Sequence, residues 1–249
     1  MTTREHSGPV ISPLPTKPTE TQQLPASNDR HAIPALARIT TWLPTWQRCP
    51  ATVTYLLVLV TTYWITMCLL PRDQALHLLL SVSTNLHNLT QHPLRALLGS
   101  ALFPATPLLS TSGILTLGVG IGCCMGLIER TRGTWRALAT FAAGHTLATL
   151  LTVPVVLLGI STHRYDPAEL DGLDFGVSYG AVATMAAMTS HLPRPLRPLW
   201  LASGVGYLLS TASWYGALPD FTTVGHMLAV GIGLAAARLL RLNRPPTTV

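Results

Sequence analysis

Residues 51–70 read ATVTYLLVLVTTYWITMCLL. Twenty residues pass without a charge, the length a helix needs to cross about 30 Å of hydrocarbon. Five more apolar stretches follow, at residues 108–128, 137–160, 177–192, 199–215 and 221–237. The third carries His145 and Pro154, the fourth is short and rich in small residues, and the sixth holds His226. This reading predicts an all-α membrane protein of six transmembrane helices. Residues 76–103 are only partly apolar, and Asn85, Asn88, His92 and Pro93 interrupt them. They read as an amphipathic or re-entrant segment in the interface rather than as a span.

Charge placement tests the span count independently. The six spans put Arg48, Arg130, Arg132, Arg136, Arg194, Arg197, Arg238, Arg241 and Arg244 on one side, together with Arg4, Lys17, Arg30 and Arg38 of the N-terminal tail. Only Arg72, Arg95 and Arg164 fall on the other. The positive-inside rule then places both termini in the cytoplasm of a multi-pass cell-membrane protein. Beyond the tail the acids run the opposite way. Asp73, Asp166, Glu169, Asp171, Asp174 and Asp220 fall outside, and only Glu129 falls inside.

Composition agrees. Of 249 residues, 48% are hydrophobic and 10% charged, against about a quarter charged in ordinary soluble domains. So apolar a chain is not disordered over most of its length. Cys49, Cys68, Cys123 and Cys124 include no C-x-x-C pair and do not make a disulfide scaffold. The net charge of +6 comes from scattered single residues, which gives no nucleic-acid-binding patch. Residues 1–48 hold seven prolines among Thr and Ser and are read as a disordered cytoplasmic tail. Within it, Trp42 and Trp46 with Arg38 and Arg48 suit the headgroup layer. The membrane domain is taken as residues 49–242, and residues 243–249 as a short cytoplasmic C-tail.

No charged residue lies inside a predicted span, so a carboxylate proton relay has no basis. Two polar residues are placed alike. Ser178 follows Asp174 by four residues, and His226 follows Asp220 by six. Both therefore lie roughly 5–10 Å below the outer surface. A serine and a histidine suffice for nucleophilic catalysis, the imidazole taking the hydroxyl proton and returning it to the leaving amine. The serine sits in Gly176-Val177-Ser178-Tyr179-Gly180. As a string this matches the nucleophile elbow of soluble hydrolases, but an apolar helix follows and no strand precedes it. The glycines instead permit close helix approach at a helix start, where free N–H groups can bind an oxyanion.

This order resembles the rhomboid intramembrane serine proteases. Their serine opens the fourth of six helices in a G-x-S-G motif, and their histidine lies in the sixth, with small residues three and seven positions on. Here Gly176-Val177-Ser178 opens the fourth stretch, and Ala229 and Gly233 follow His226. Gly126-Leu127-Ile128-Glu129-Arg130 with Gly133 is similar to the family's junction after the second helix. The resemblance covers about residues 51–242. It implies a six-helix rhomboid-like bundle, a Ser178–His226 dyad, oxyanion support from Gly176, Tyr179 and Gly180, and no cofactor or metal. The implied partners are single-pass membrane proteins, met in the lipid bilayer and cut near its outer face.

Three features depart from the family. Tyr179 replaces the second motif glycine. The positions of an H-x-x-x-N oxyanion pair fall on Gly113 and Leu117, with Ser110, Thr111, Ser112 and Thr116 nearby. Val182 stands where many members have a tyrosine. Other readings stay open. Ser178 begins a run of small residues suited to helix packing. His226 also suits a hydrogen bond to a neighbouring helix. His145 is an accessory candidate for either site. An inactive member that binds membrane clients, and a small transporter subunit, are the alternative functions.

Overall fold

The computed structural model describes residues 45–104 and 106–242. Most of the N-terminal tail and the C-tail lie outside them. Thr45–Arg48 form a turn that leads into α1, the Cys49 N–H donating to Thr45 O at 2.8 Å.

Among the described residues, four helices are long and apolar enough to cross a membrane: α1 (Pro50–Leu69), α5 (Thr111–Arg132), α6 (Thr134–Ser161) and α9 (Phe221–Leu242). They match the first, second, third and sixth apolar stretches. The fourth and fifth stretches fold as α7 (Val177–Ala187), which tightens into a 3-10 turn at Met188–Ser190, and α8 (Leu196–Ser210). Both are helical, but each falls short of span length.

The partly apolar segment after α1 becomes three short helices: α2 (Arg72–Val82), α3 (Leu86–Gln91) and α4 (Pro93–Ser100). Its polar interruptions are the joints. Asn85 caps α3 by accepting from the Asn88 N–H at 2.8 Å, and Asn88 Nδ2 donates back to Leu80 O and Ser83 O. Pro93 occupies the first turn of α4, where its missing N–H costs nothing. Leu76, Leu80, Leu94 and Leu98 stay exposed along this segment. The expected end of the fifth stretch, residues 211–215, leaves the helix and forms a two-residue hairpin. In it β1 (Trp214–Tyr215) pairs antiparallel with β2 (Leu218–Pro219), and Gly216 turns the chain at φ 68°. That hairpin is the one exception to the all-α expectation among the described residues.

Helix α7 is the centre, flanked by α5, α6 and α9. Its small side chains set the spacing. A side chain on Gly144 of α6 would run into Ala183, and one on Gly233 of α9 would run into the Ala183 carbonyl. Close approach therefore rests on glycine, as in packed membrane helices generally. Leu59, Ile121, Met125, Ile128 and Phe141 fill the core beside α7. Helix α8 stands apart, with no buried residue. It is tied to α7 by the Trp200 indole, which donates to Met185 O at 2.8 Å.

Glu129 fastens the opposite end of the bundle. It is buried and accepts from Ala51 N, Thr52 N, Thr52 Oγ1 and Thr134 Oγ1 at 2.7–3.0 Å. One carboxylate thus serves first-turn donors of α1 and a hydroxyl at the start of α6, where helix dipoles also favour negative charge. Gly133 makes the reversal between α5 and α6 at φ 94°, a conformation open to glycine. Glu129→Leu should destabilise the protein by roughly 3 kcal/mol, because buried donors lose their acceptor. A thermal-unfolding midpoint equal to that of the unsubstituted protein would refute this role.

Candidate active site

Helix α7 begins at Val177, with Gly176 as a cap that offers no side-chain hydrogen bond. The first-turn N–H groups of Val177, Ser178 and Tyr179 have no partner within the helix, as at any helix start. Ser178 is half-buried there. Helix α9 starts at Phe221, and its entry is fixed by Asp220. That carboxylate accepts from Thr223 N at 2.9 Å, Thr223 Oγ1 at 2.8 Å and Ser213 N at 2.9 Å. His226 follows one turn later, also half-buried.

The two starts are juxtaposed so that His226 Nε2 and Ser178 Oγ lie 2.9 Å apart. When Nε2 carries no proton, the hydroxyl donates to it, which is the arrangement a general base requires. Among the described residues, no carboxylate is hydrogen-bonded to the imidazole. Its flank is the Tyr179 ring, with centroids 5.0 Å apart and planes at 74°.

Both residues line a cavity of about 800 Å³ bounded by α5, α7, α8 and α9. Most of its wall is apolar, with Leu115, Val119, Met185 and Leu208 among the lining residues. Ser112 and Thr116 of α5 share this cavity with Ser178 and His226. Ser110 is otherwise engaged, its hydroxyl accepting from the Gly113 N–H at 3.1 Å as the cap of α5.

The other sequence candidates have definite places. The Gly180 N–H donates to Gly176 O at 3.1 Å, and a side chain at Gly180 would strike the Phe141 ring. Gly176 lies against the imidazole of His145, leaving no room for a side chain. His145 itself is buried, and its Nε2 pairs with Leu97 O at 2.8 Å. It braces α4 and the segment before Ser178, and its hydrogen bond goes to Leu97 rather than to the Ser178–His226 pair.

The family match spans residues 45–245, more than three-quarters of the chain, with the model described as rhomboid-like protein. The chain belongs to the rhomboid-like family. No curated protein and no solved structure matches it.

In this rhomboid-like protein one participant escaped the sequence reading. Asp174 marked the outer end of the fourth stretch and was given no further part. Its carboxyl is buried, accepting from Tyr179 OH at 2.9 Å and Thr84 Oγ1 at 3.2 Å. Burial pushes this carboxyl up to about 6, against the lowering effect of those two hydrogen bonds. The available signal was an acid four residues before the serine, but its partner Thr84 lies 90 residues away in sequence. Among the described residues, no three His, Cys, Asp or Glu side chains come together to hold a metal ion.

Proposed function

We propose that this rhomboid-like protein is an intramembrane serine endopeptidase with Ser178 as nucleophile and His226 as general base. The observation that carries the reading is the 2.9 Å separation of Ser178 Oγ and His226 Nε2 at the wall of a large, mainly apolar cavity. His226 takes the hydroxyl proton as Oγ bonds to a peptide carbonyl carbon. The tetrahedral oxyanion is met by first-turn N–H groups of α7 near Ser178 and Tyr179. His226 then gives the proton to the departing amine, and water repeats the cycle on the acyl-enzyme. Ser112 and Thr116, on the α5 side of the same cavity, supply hydroxyls where the family's stronger donor pair is absent.

The substrate is a single-pass membrane protein whose helix unwinds near the outer face, since a peptide bond held in a helix is closed to attack. In this reading α7 and α8 complete six spans, and both termini lie in the cytoplasm of the cell membrane. The charge alternation between loops supports that topology.

The test is reaction of the full-length, detergent-solubilised protein with a fluorophosphonate probe. Covalent labelling that disappears in Ser178→Ala is expected. Absence of labelling in folded protein, after long exposure, would overturn the protease reading. It would favour an inactive family member that captures membrane clients, a reading favoured by Gly113 and Leu117 at the donor positions.

A further inference from the structure

Tyr179 is the residue that breaks the serine motif, and it is fully buried. Room for it is made by Gly225, where a side chain would approach the Tyr179 hydroxyl to 2.6 Å. A residue that merely filled this space would be phenylalanine, because a buried hydroxyl is costly unless it is hydrogen-bonded. Here the hydroxyl is bonded, to Asp174 Oδ1 at 2.9 Å. Asp174 is in turn held at three points by the turn between α2 and α3. Its N–H donates to Ser83 Oγ at 2.9 Å, its carbonyl accepts from Thr84 N at 2.9 Å, and its Oδ2 accepts from Thr84 Oγ1 at 3.2 Å.

His226 needs such support. Its one hydrogen bond among the described residues runs to Ser178 and holds a single ring nitrogen. The edge contact with Tyr179 is a second restraint on the ring.

We propose that Tyr179 is the positioning residue for the His226 imidazole, and that Asp174, fixed by Ser83 and Thr84 of the interfacial segment, holds Tyr179 in place. The proposal deepens the protease reading and rests on it for its catalytic consequence. It links the segment lying between α1 and α5 to the base through three side chains. A displacement of that segment moves Asp174, then the phenol, then the imidazole.

The test uses the full-length protein in detergent micelles with ring-labelled histidine. The His226 resonance is assigned by its loss in His226→Gln. It should stand apart from the other histidines because of the adjacent aromatic ring. Tyr179→Leu should move it to the ordinary histidine position. Tyr179→Phe and Asp174→Leu should broaden it and slow fluorophosphonate labelling roughly 10- to 100-fold, the cost of misplacing a reacting group by about 1 Å. Asp174→Asn, whose amide oxygen accepts the same phenol proton, should give a rate and a line closer to those of the unsubstituted protein than Asp174→Leu does.

An unchanged His226 resonance and labelling rate in Tyr179→Phe would overturn the proposal and leave the dyad standing. Tyr179→Phe keeps the packed volume, so it decides the matter even if Asp174→Leu fails to fold. A His226 resonance that responds as described, in a protein that takes no label, would keep the positioning role and overturn the protease reading instead.

Discussion

His226→Ala should slow fluorophosphonate labelling of Ser178 by about 10²–10⁴-fold, the usual contribution of a positioned base. A serine hydroxyl is a weak nucleophile until its proton has somewhere to go. In the proposed dyad it goes to Nε2, which lies 2.9 Å from Ser178 Oγ. Among the described residues no carboxylate is hydrogen-bonded to the imidazole, so in the proposed mechanism the burden falls on the ring itself and on its orientation. Removing the ring also opens a space beside Tyr179 and the 800 Å³ cavity. Imidazole added to the His226→Ala protein should therefore restore part of the rate. A time course of in-gel fluorescence reads both effects. Equal rates for His226→Ala and the unsubstituted protein would mean that Ser178 is activated by something else, or that the label is nonspecific.

Gly233→Val should yield little folded protein, whereas Gly231→Val, two residues earlier on the same helix, should leave stability nearly unchanged. A side chain at Gly233 meets the Ala183 carbonyl, and its Cβ would lie 2.7 Å from Ala186 Cβ. A backbone carbonyl in the middle of α7 cannot swing aside as a flexible side chain can. Relief requires α9 to back away from α7, and overpacking of this kind commonly costs about 1–3 kcal/mol or more. His226 lies two turns along α9 from Gly233, so the same retreat parts it from Ser178. At Gly231 a Cβ meets nothing within 4 Å. Thermal unfolding and monodispersity in detergent distinguish the two variants. Matching melting points would show that α9 does not depend on contact at Gly233.

The sequence was most informative where composition alone decides the outcome. Charge-free runs of twenty or so residues became α1, α5, α6 and α9 because burying backbone polar groups in lipid leaves helices as the available solution. The nearness of Ser178 and His226 was legible because each stands a short, similar distance after an acid, Asp174 or Asp220. Family resemblance and family match agree on the same stretch of chain.

The remainder depended on contacts that periodicity does not encode. The fourth stretch tightens at Met188–Ser190 and the fifth ends at Ser210, and no property of an apolar run marks either point. Asn85 and Asn88 looked like interruptions of a hydrophobic segment, and they are the caps that organise it. Ser110, near the positions of the family's oxyanion pair, is spent on capping α5. Tyr179 looked like a defect in a motif. Its meaning lies in Asp174 and in a turn some 90 residues earlier, which only the folded chain brings together.

The carboxylate of Glu129 has a consequence for biogenesis. Helix α1 leaves the ribosome with the N–H groups of Ala51 and Thr52 unmet, and their acceptor follows 77 residues behind Thr52. At usual elongation rates that is a wait of roughly 4–15 s. For that time the leading turn of α1 must be served by water or lipid headgroups. Only when the end of α5 emerges does a permanent partner arrive, so the start of α1 is locked no earlier than the end of α5.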